Sequence, residues 1–133
     1  MKNTGIWIDK NRAVLIFLEG ATEQIKEIPS NLDHFKIHGG SGSRFKGGPQ
    51  DVVQDSKYLE REKHQLRIYF KNVANELQGE QDLVIFGPAQ IKDKFYAALE
   101  TNFPNIHKQV TKIATADSMS ENQMKAWVRD YYN

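Results

Sequence analysis

The sequence predicts an α/β domain built on a five-stranded mixed sheet with helices on both faces. Three observations lead to this fold class. The first thirty residues alternate β-branched and aromatic runs with turn residues, which is typical of an antiparallel meander. The run from Leu83 to Phe86 is wholly apolar and bounded by turn residues, which predicts a strand buried on both faces. Amphipathic helical segments precede and follow that strand, as crossover connections require.

Three strands are predicted before residue 30. The first two, Thr4 to Asp9 and Ala13 to Glu19, are separated by a turn-forming stretch. The third, Thr22 to Ile28, has apolar side chains only at Ile25 and Ile28, which indicates a half-exposed edge strand.

A long amphipathic helix is predicted to begin near Ser56 and to be capped by Gly79. One face is apolar at a spacing of 3.6 residues, through Leu59, Leu66, Phe70, Val73 and Leu77. The opposite face is charged, through Lys57, Glu60, Arg61, Lys63, His64, Arg67 and Lys71.

The remaining elements follow the buried strand. Gly87 and Pro88 are predicted to form the cap and first turn of a helix that carries Ile91, Phe95 and Leu99, and Lys108 to Ala114 is predicted as the fifth strand. Two overlapping capping boxes, Ser118 to Glu121 and Ser120 to Gln123, precede a last helix with an apolar face of Met124, Trp127, Val128 and Tyr131. The element order is therefore βββ-α-β-α-β-α, in a single domain over residues 1–133.

Composition limits the classes of function. At 133 residues the chain fits one domain with its own core, and its net charge of +1 neither favours nor opposes a nucleic-acid partner. Because there is no cysteine, disulfides, thiolate chemistry and cysteine-ligated zinc are excluded. No signal peptide and no membrane-spanning run are predicted, so we expect a cytoplasmic protein that needs no membrane.

A glycine-rich stretch, HGGSGSRFKGGPQ at residues 38–50, lies within a predicted connection from about Ser30 to Asp55. Connections this long are uncommon in compact domains unless they are functional or disordered. Either the stretch is a mobile connector, or its bare backbone N–H groups act together with Lys36, Arg44 and Lys46 to contact phosphate. We expect it to be mobile in the free protein and to be the main contact surface when a partner binds.

Several motifs, in order, resemble a known family. They are IHGGSGSRF, the charged helix with ERE at 60–62, FKNVANEL, and DLVIFGPAQIKDKFYAAL. Together they resemble the middle domain of archaeal and eukaryotic class-1 peptide-chain release factors and of Pelota, including their shorter bacterial relatives. The resemblance covers about Leu32 to Leu99, and the element order is also that of the ribonuclease H-like and translational-machinery group of folds.

The resemblance implies RNA or partner contact by particular residues. Arg44 and Phe45 match the family's Arg-Phe, Ser41 matches its serine, and Gly87 with Lys92 match a later glycine turn and lysine. In the release factors a glutamine in this loop helps water attack the peptidyl-tRNA ester. Here Gly40 or Ser41 stands in its place, so the resemblance implies no catalytic residue and no termination activity. Gln50 follows a second Gly-Gly, but Pro49 intervenes, and we do not assign it the catalytic role.

Two other classes of function stay open. A metal-dependent nuclease of the ribonuclease H-like group would need carboxylates converging on two metal ions, and the candidates are Asp9, Glu62, Asp117 and Asp130. Asp82 is expected at the wrong end of its strand. A protein-interaction module without an RNA role is the other alternative. His34, His38 and His64 lack the spacing of metal ligands, so no metal site and no cofactor are predicted.

The leading hypothesis is a non-catalytic, translation-related module that contacts a ribosome or tRNA through the glycine-rich loop and the charged face of the long helix. The residues predicted to bind RNA or a partner are Lys36, Gly39, Gly40, Ser41, Arg44, Lys46 and Lys92. The sequence carries no signal for an oligomeric state.

Overall fold

The computed structural model describes residues 2–32 and 48–133, with side chains described from residue 59 onward in the first helix. The elements, in chain order, are β1 (Lys2–Ile8), β2 (Arg12–Glu19), β3 (Thr22–Pro29), α1 (Gly48–Ala74), β4 (Gln81–Gly87), α2 (Ile91–Asn102), α3 (Pro104–His107), β5 (Val110–Thr115) and α4 (Glu121–Tyr132).

The five strands form one mixed sheet in the order β3-β2-β1-β4-β5. β1, β2 and β3 are an antiparallel meander, whereas β4 pairs in parallel with both β1 and β5. The predicted mixed sheet is confirmed, with β3 at one edge. β4 is an interior strand as expected, although the middle position belongs to β1, which has two strands on either side.

Helices cover both faces of the sheet, as predicted. On one face, Ile6, Ile8 and Leu15 pack with buried side chains of α1 and α2, including Phe70 and Phe95. On the other face, α4 covers a smaller cluster made of Trp7, Val14, Ile16, Phe86, Met124 and Val128. α4 can approach closely because β1 carries Gly5, where an added Cβ atom would lie 2.2 Å from Cγ2 of Val128.

The first helix begins earlier than predicted. α1 starts at Gly48 rather than near Ser56 and ends at Ala74, so the helix accounts for part of the predicted connection. Its opening residues lack an apolar repeat, and Pro49 at the first turn is the sequence feature compatible with this start. Of the predicted apolar face, Leu66, Phe70 and Val73 are buried, whereas Leu59 is 57% exposed.

The other boundaries differ in smaller ways. α2 begins at Ile91 with Gln90 as its N-cap, so the predicted cap at Gly87 and Pro88 was wrong. Gly87 instead ends β4, with φ +153° and a Cβ position 2.3 Å from the backbone oxygen of Ile8, which only glycine satisfies. The short helix α3 was not predicted. Of the two capping boxes, the one at Ser120 forms. Within the described ranges, no helix has the length and apolar character needed to cross a bilayer.

Candidate functional site

The carboxyl ends of β1 and β4 meet at one end of the sheet, and two turns enclose a cleft of about 490 Å³ there. Ligands of open α/β sheets usually bind at this end of the strands. The cleft is lined by the β1–β2 turn, the β4–α2 turn, the first turn of α2 and one residue of α1. The lining residues are Asp9, Lys10, Asn11, Glu62, Pro88, Ala89, Gln90, Ile91 and Lys94.

The β1–β2 turn is fixed by the carboxylate of Asp9. Its Oδ1 accepts hydrogen bonds from the backbone N–H groups of Asn11 at 2.8 Å and Arg12 at 2.9 Å. The backbone N–H of Asp9 also donates to the carbonyl of Arg12. Asp9 therefore acts as a turn residue, an ordinary use of aspartate at such positions.

The end of β3 is tied to this same turn through Ser30. The Ser30 hydroxyl donates to the carbonyl of Lys10 at 2.7 Å, and its backbone N–H donates to the carbonyl of Asn11 at 2.9 Å. Ser30 is buried, and its oxygen accepts from the backbone N–H of Leu32. Leu32, the last described residue before residues 33–47, therefore lies beside the cleft.

α1 is joined to the turn by Tyr69. The fully buried Tyr69 donates its hydroxyl proton to the carbonyl oxygen of Asp9 at 2.8 Å. Burial, with a smaller contribution from Asp9, raises the pKa of Tyr69, so the hydroxyl keeps the proton that it donates. This bond fixes where along its length α1 crosses the carboxyl end of the sheet.

The β4–α2 turn is stabilised by Lys92. Ala89 adopts φ +55°, and the Lys92 ammonium donates to the Ala89 carbonyl while lying 3.6 Å from the carboxylate of Asp93. The Lys92 side chain is only 7% exposed. Its predicted role in RNA contact stays a prediction, and the ammonium would have to leave the Ala89 carbonyl to fulfil it.

The other predicted binding residues lie outside the described part of the chain. These are Lys36, Gly39, Gly40, Ser41, Arg44 and Lys46, and Phe45 of the matching Arg-Phe also lies there. Tyr69 and Ser30, which hold the β1–β2 turn of the cleft in place, were not among the predicted site residues. Tyr69 reads only as one more apolar helix position, and a serine after a strand carries no distinctive signal.

The carboxylates considered for a nuclease are spread over the molecule. Asp9 and Glu62 both line the cleft, but Asp130 lies in the last turns of α4, where neighbouring Arg129 and Tyr132 lie near Asn3 at the amino end of β1. Asp82 pairs with Asn3 at that same end, which agrees with its expected position. Across residues 2–32 and 59–133, no group of three or more histidine, cysteine or acidic residues is placed to hold a metal ion.

Solved structures of similar fold include two Pelota proteins and an archaeal translation termination factor. The Pelota protein of Archaeoglobus fulgidus matches with a TM-score of 0.59 at 14% sequence identity, covering 97% of this chain and 31% of that chain. The Pelota protein of Thermoplasma acidophilum matches with a TM-score of 0.54 at 14% identity, covering 97% of this chain and 32% of that chain. An archaeal translation termination factor, aRF1, matches with a TM-score of 0.55 at 13% identity, covering 98% of this chain and 39% of that chain.

The likeness to these structures is one of fold. The chain spans roughly a third of the length of the structures it matches, between 31% and 39%. No protein-family model matches the sequence. No curated protein matches it either.

Proposed function

We propose that this protein is a non-catalytic, translation-related module of the cytoplasm that contacts ribosomal or transfer RNA through the glycine-rich segment 38–50. Its similarity of fold to Pelota and to an archaeal termination factor supports a role in translation. Residues 1–133 then correspond to a middle domain of the release-factor type, in which this segment reaches the partner.

The observation that carries the proposal is the direction of α1. The end of α1 lies near Glu76, which shares a groove with Lys2 and Glu19 at the amino end of β1. Tyr69 contacts the opposite, carboxyl end of the sheet. Continuing in that direction, Gly48 lies about 30 Å further along the helix axis than Tyr69. Because α1 extends beyond the sheet, its start can reach RNA at a distance from the rest of the domain, which supports the proposal.

The composition of the segment supplies the chemistry. Glycines leave backbone N–H groups open to an anion, and Lys36, Arg44 and Lys46 add positive charge. No acidic residue occurs between Asp33 and Asp51 to oppose that charge. Such a contact binds phosphate and weakens as the salt concentration rises, because the release of counterions from the RNA then gains less entropy.

Co-sedimentation with ribosomes at low and high salt tests the proposal. Arg44→Ala combined with Lys46→Ala is expected to weaken binding and to flatten its salt dependence by about two units in the logarithmic slope. The matched control is Lys108→Ala combined with Lys112→Ala, which removes the same charge from exposed positions around β5. If the Arg44/Lys46 variant sediments as the parent does, or if it unfolds, segment 38–50 is a connector or a structural clamp.

We also propose that the protein does not hydrolyse peptidyl-tRNA, because Gly40 or Ser41 occupies the place of the water-positioning glutamine. Incubation with ribosomes carrying a stalled peptidyl-tRNA is expected to release no peptide above background. Release at a rate that Ser41→Ala abolishes would mean that the serine has taken over that role.

A further inference from the structure

The outward face of the second half of α1 carries basic side chains and no acidic one. Between Glu62 and Glu76 the chain has no acidic residue. The exposed positions in this stretch are Lys63, His64, Arg67, Ile68, Lys71, Asn72 and Asn75. Lys63, Arg67 and Lys71 follow one another at four-residue spacing, so their charged groups lie along one side of the helix. We call these three residues the α1 basic row.

Several cations elsewhere in the described structure are paired with carboxylates, whereas Lys108 and Lys112, which are not, do not form a row on one helix face. Arg129 contacts Glu23 at 2.7 Å, Lys26 contacts Glu76 at 2.7 Å, and Arg12 lies near two glutamates. No ion pair within residues 2–32 and 59–133 involves the α1 basic row. The side-chain contact found for Arg67 is with Nδ1 of His64 at 3.4 Å, which neutralises no charge.

Positive charge that is concentrated and unneutralised is complementary to a polyanion. We infer that the α1 basic row is a second RNA-contact surface, separate from segment 38–50, which binds the sugar–phosphate backbone of RNA without reading its bases. The inference deepens the proposed function and rests on it, because it assumes that the partner is RNA.

The side chains of this face favour backbone contact over base recognition. Tyr69 and Phe70, the large aromatic residues of this half of the helix, are buried toward the sheet, which leaves the smaller imidazole of His64 as its exposed ring. Lysine and arginine side chains along a helix contact phosphates, which position a protein on RNA without sequence information.

The length of α1 favours an extended partner. Lys63 lies about 20 Å along the helix axis from Gly48, the first residue of α1. An extended polyanion can contact the α1 basic row and the start of the helix at once.

A fluorescently labelled RNA hairpin is the probe for this surface, with anisotropy measured over a range of potassium chloride concentrations. Arg67→Ala combined with Lys71→Ala is expected to weaken hairpin binding and to lower its logarithmic salt slope by about two units. The Lys108/Lys112 double alanine variant is the matched control and is expected to bind as the parent does. Arg67→Lys combined with Lys71→Arg keeps the charge and is expected to keep the slope.

Parent-like binding by the Arg67/Lys71 double alanine variant would overturn the inference. If polyglutamate displaces the labelled hairpin as well as unlabelled hairpin does, the inference is overturned in favour of an acidic protein partner. The proposed function fails by a different result, which is unchanged ribosome co-sedimentation of the Arg44/Lys46 variant. Thermal unfolding of each variant excludes misfolding as the cause, because exposed substitutions of this kind change stability by about 0.5 kcal/mol or less.

Discussion

α1 and α4 cover opposite faces of the same sheet in different ways. α4 is held at its start by the Ser120 capping box, buries Met124 and Val128 against the sheet, and pairs Arg129 with Glu23. α1 packs on the sheet from Leu66 onward but continues well beyond it, and the three cations of the α1 basic row form no ion pair within residues 2–32 and 59–133. α4 therefore completes the domain, whereas α1 also leaves a basic surface exposed to solvent.

Two leucines on the same side of α1 provide the strongest test of this contrast. Leu66→Ala removes a side chain that is 8% exposed, and we expect a loss of about 2–5 kcal/mol in the free energy of unfolding. Leu59→Ala, two turns earlier where the side chain is 57% exposed, is expected to change it by no more than about 0.5 kcal/mol. Urea denaturation of both variants measures the difference, and equal losses would show that this part of α1 is covered in solution.

The close approach of α4 depends on Gly5. Gly5→Ala would place a Cβ atom 2.2 Å from the short, stiff side chain of Val128, and we expect a loss of about 1–3 kcal/mol. Adding Val128→Ala removes the clashing atoms, so the double variant should lose less than the two single losses added together. Additive losses in thermal unfolding would contradict the contact between β1 and α4.

The hydrogen bond that fixes α1 to the β1–β2 turn is tested by Tyr69→Phe. The ring and its packing stay in place, while the donor to the Asp9 carbonyl is lost. We expect a loss of about 1 kcal/mol, with no change in hairpin affinity at the α1 basic row. A stability equal to that of the parent would indicate that the Asp9 carbonyl finds another donor at no cost.

The smallest expected effect concerns the tie between α4 and β3. A hydrogen bond from Arg129, opposed by some desolvation, holds the pKa of Glu23 below its ordinary value of 4.5. A carboxylate with a lowered folded-state pKa contributes stability above its unfolded pKa, and that contribution disappears as the pH falls through the folded value. Thermal unfolding of the parent and of Glu23→Gln from neutral pH to about pH 3 should show a small difference that vanishes at the acidic end. A difference that grows on acidification would contradict the role of this pair.

The strands were predictable because their patterns are local. The apolar run at Leu83 to Phe86 and the polar majority of Thr22 to Ile28 report burial directly, and the structure places the first in the interior of the sheet and the second at its edge. The start of α1 was not predictable from periodicity, because the residues after Gly48 carry no apolar repeat that would extend the helix backward.

The cleft was less accessible to sequence reasoning because tertiary contacts define it. A lysine such as Lys92 ordinarily reads as a solvated charge, yet here it is buried because Ala89 turns a carbonyl toward it. Tyr69 reads as one of several apolar helix positions, and its hydrogen bond to Asp9 joins residues 60 positions apart in sequence. Such pairings arise only when the sheet and α1 have come together.

The parallel pairing of β1 with β4 has a consequence for how this domain can change. Thr4 bonds to Gln81 across 77 positions, and β2, β3 and α1 all lie between them in the chain. The entropy of closing a flexible connection grows with the logarithm of its length, so that doubling such a connection costs only about 0.6 kcal/mol. An added flexible run between Leu32 and Gly48 would therefore cost little in folding free energy, and the sheet would keep its register.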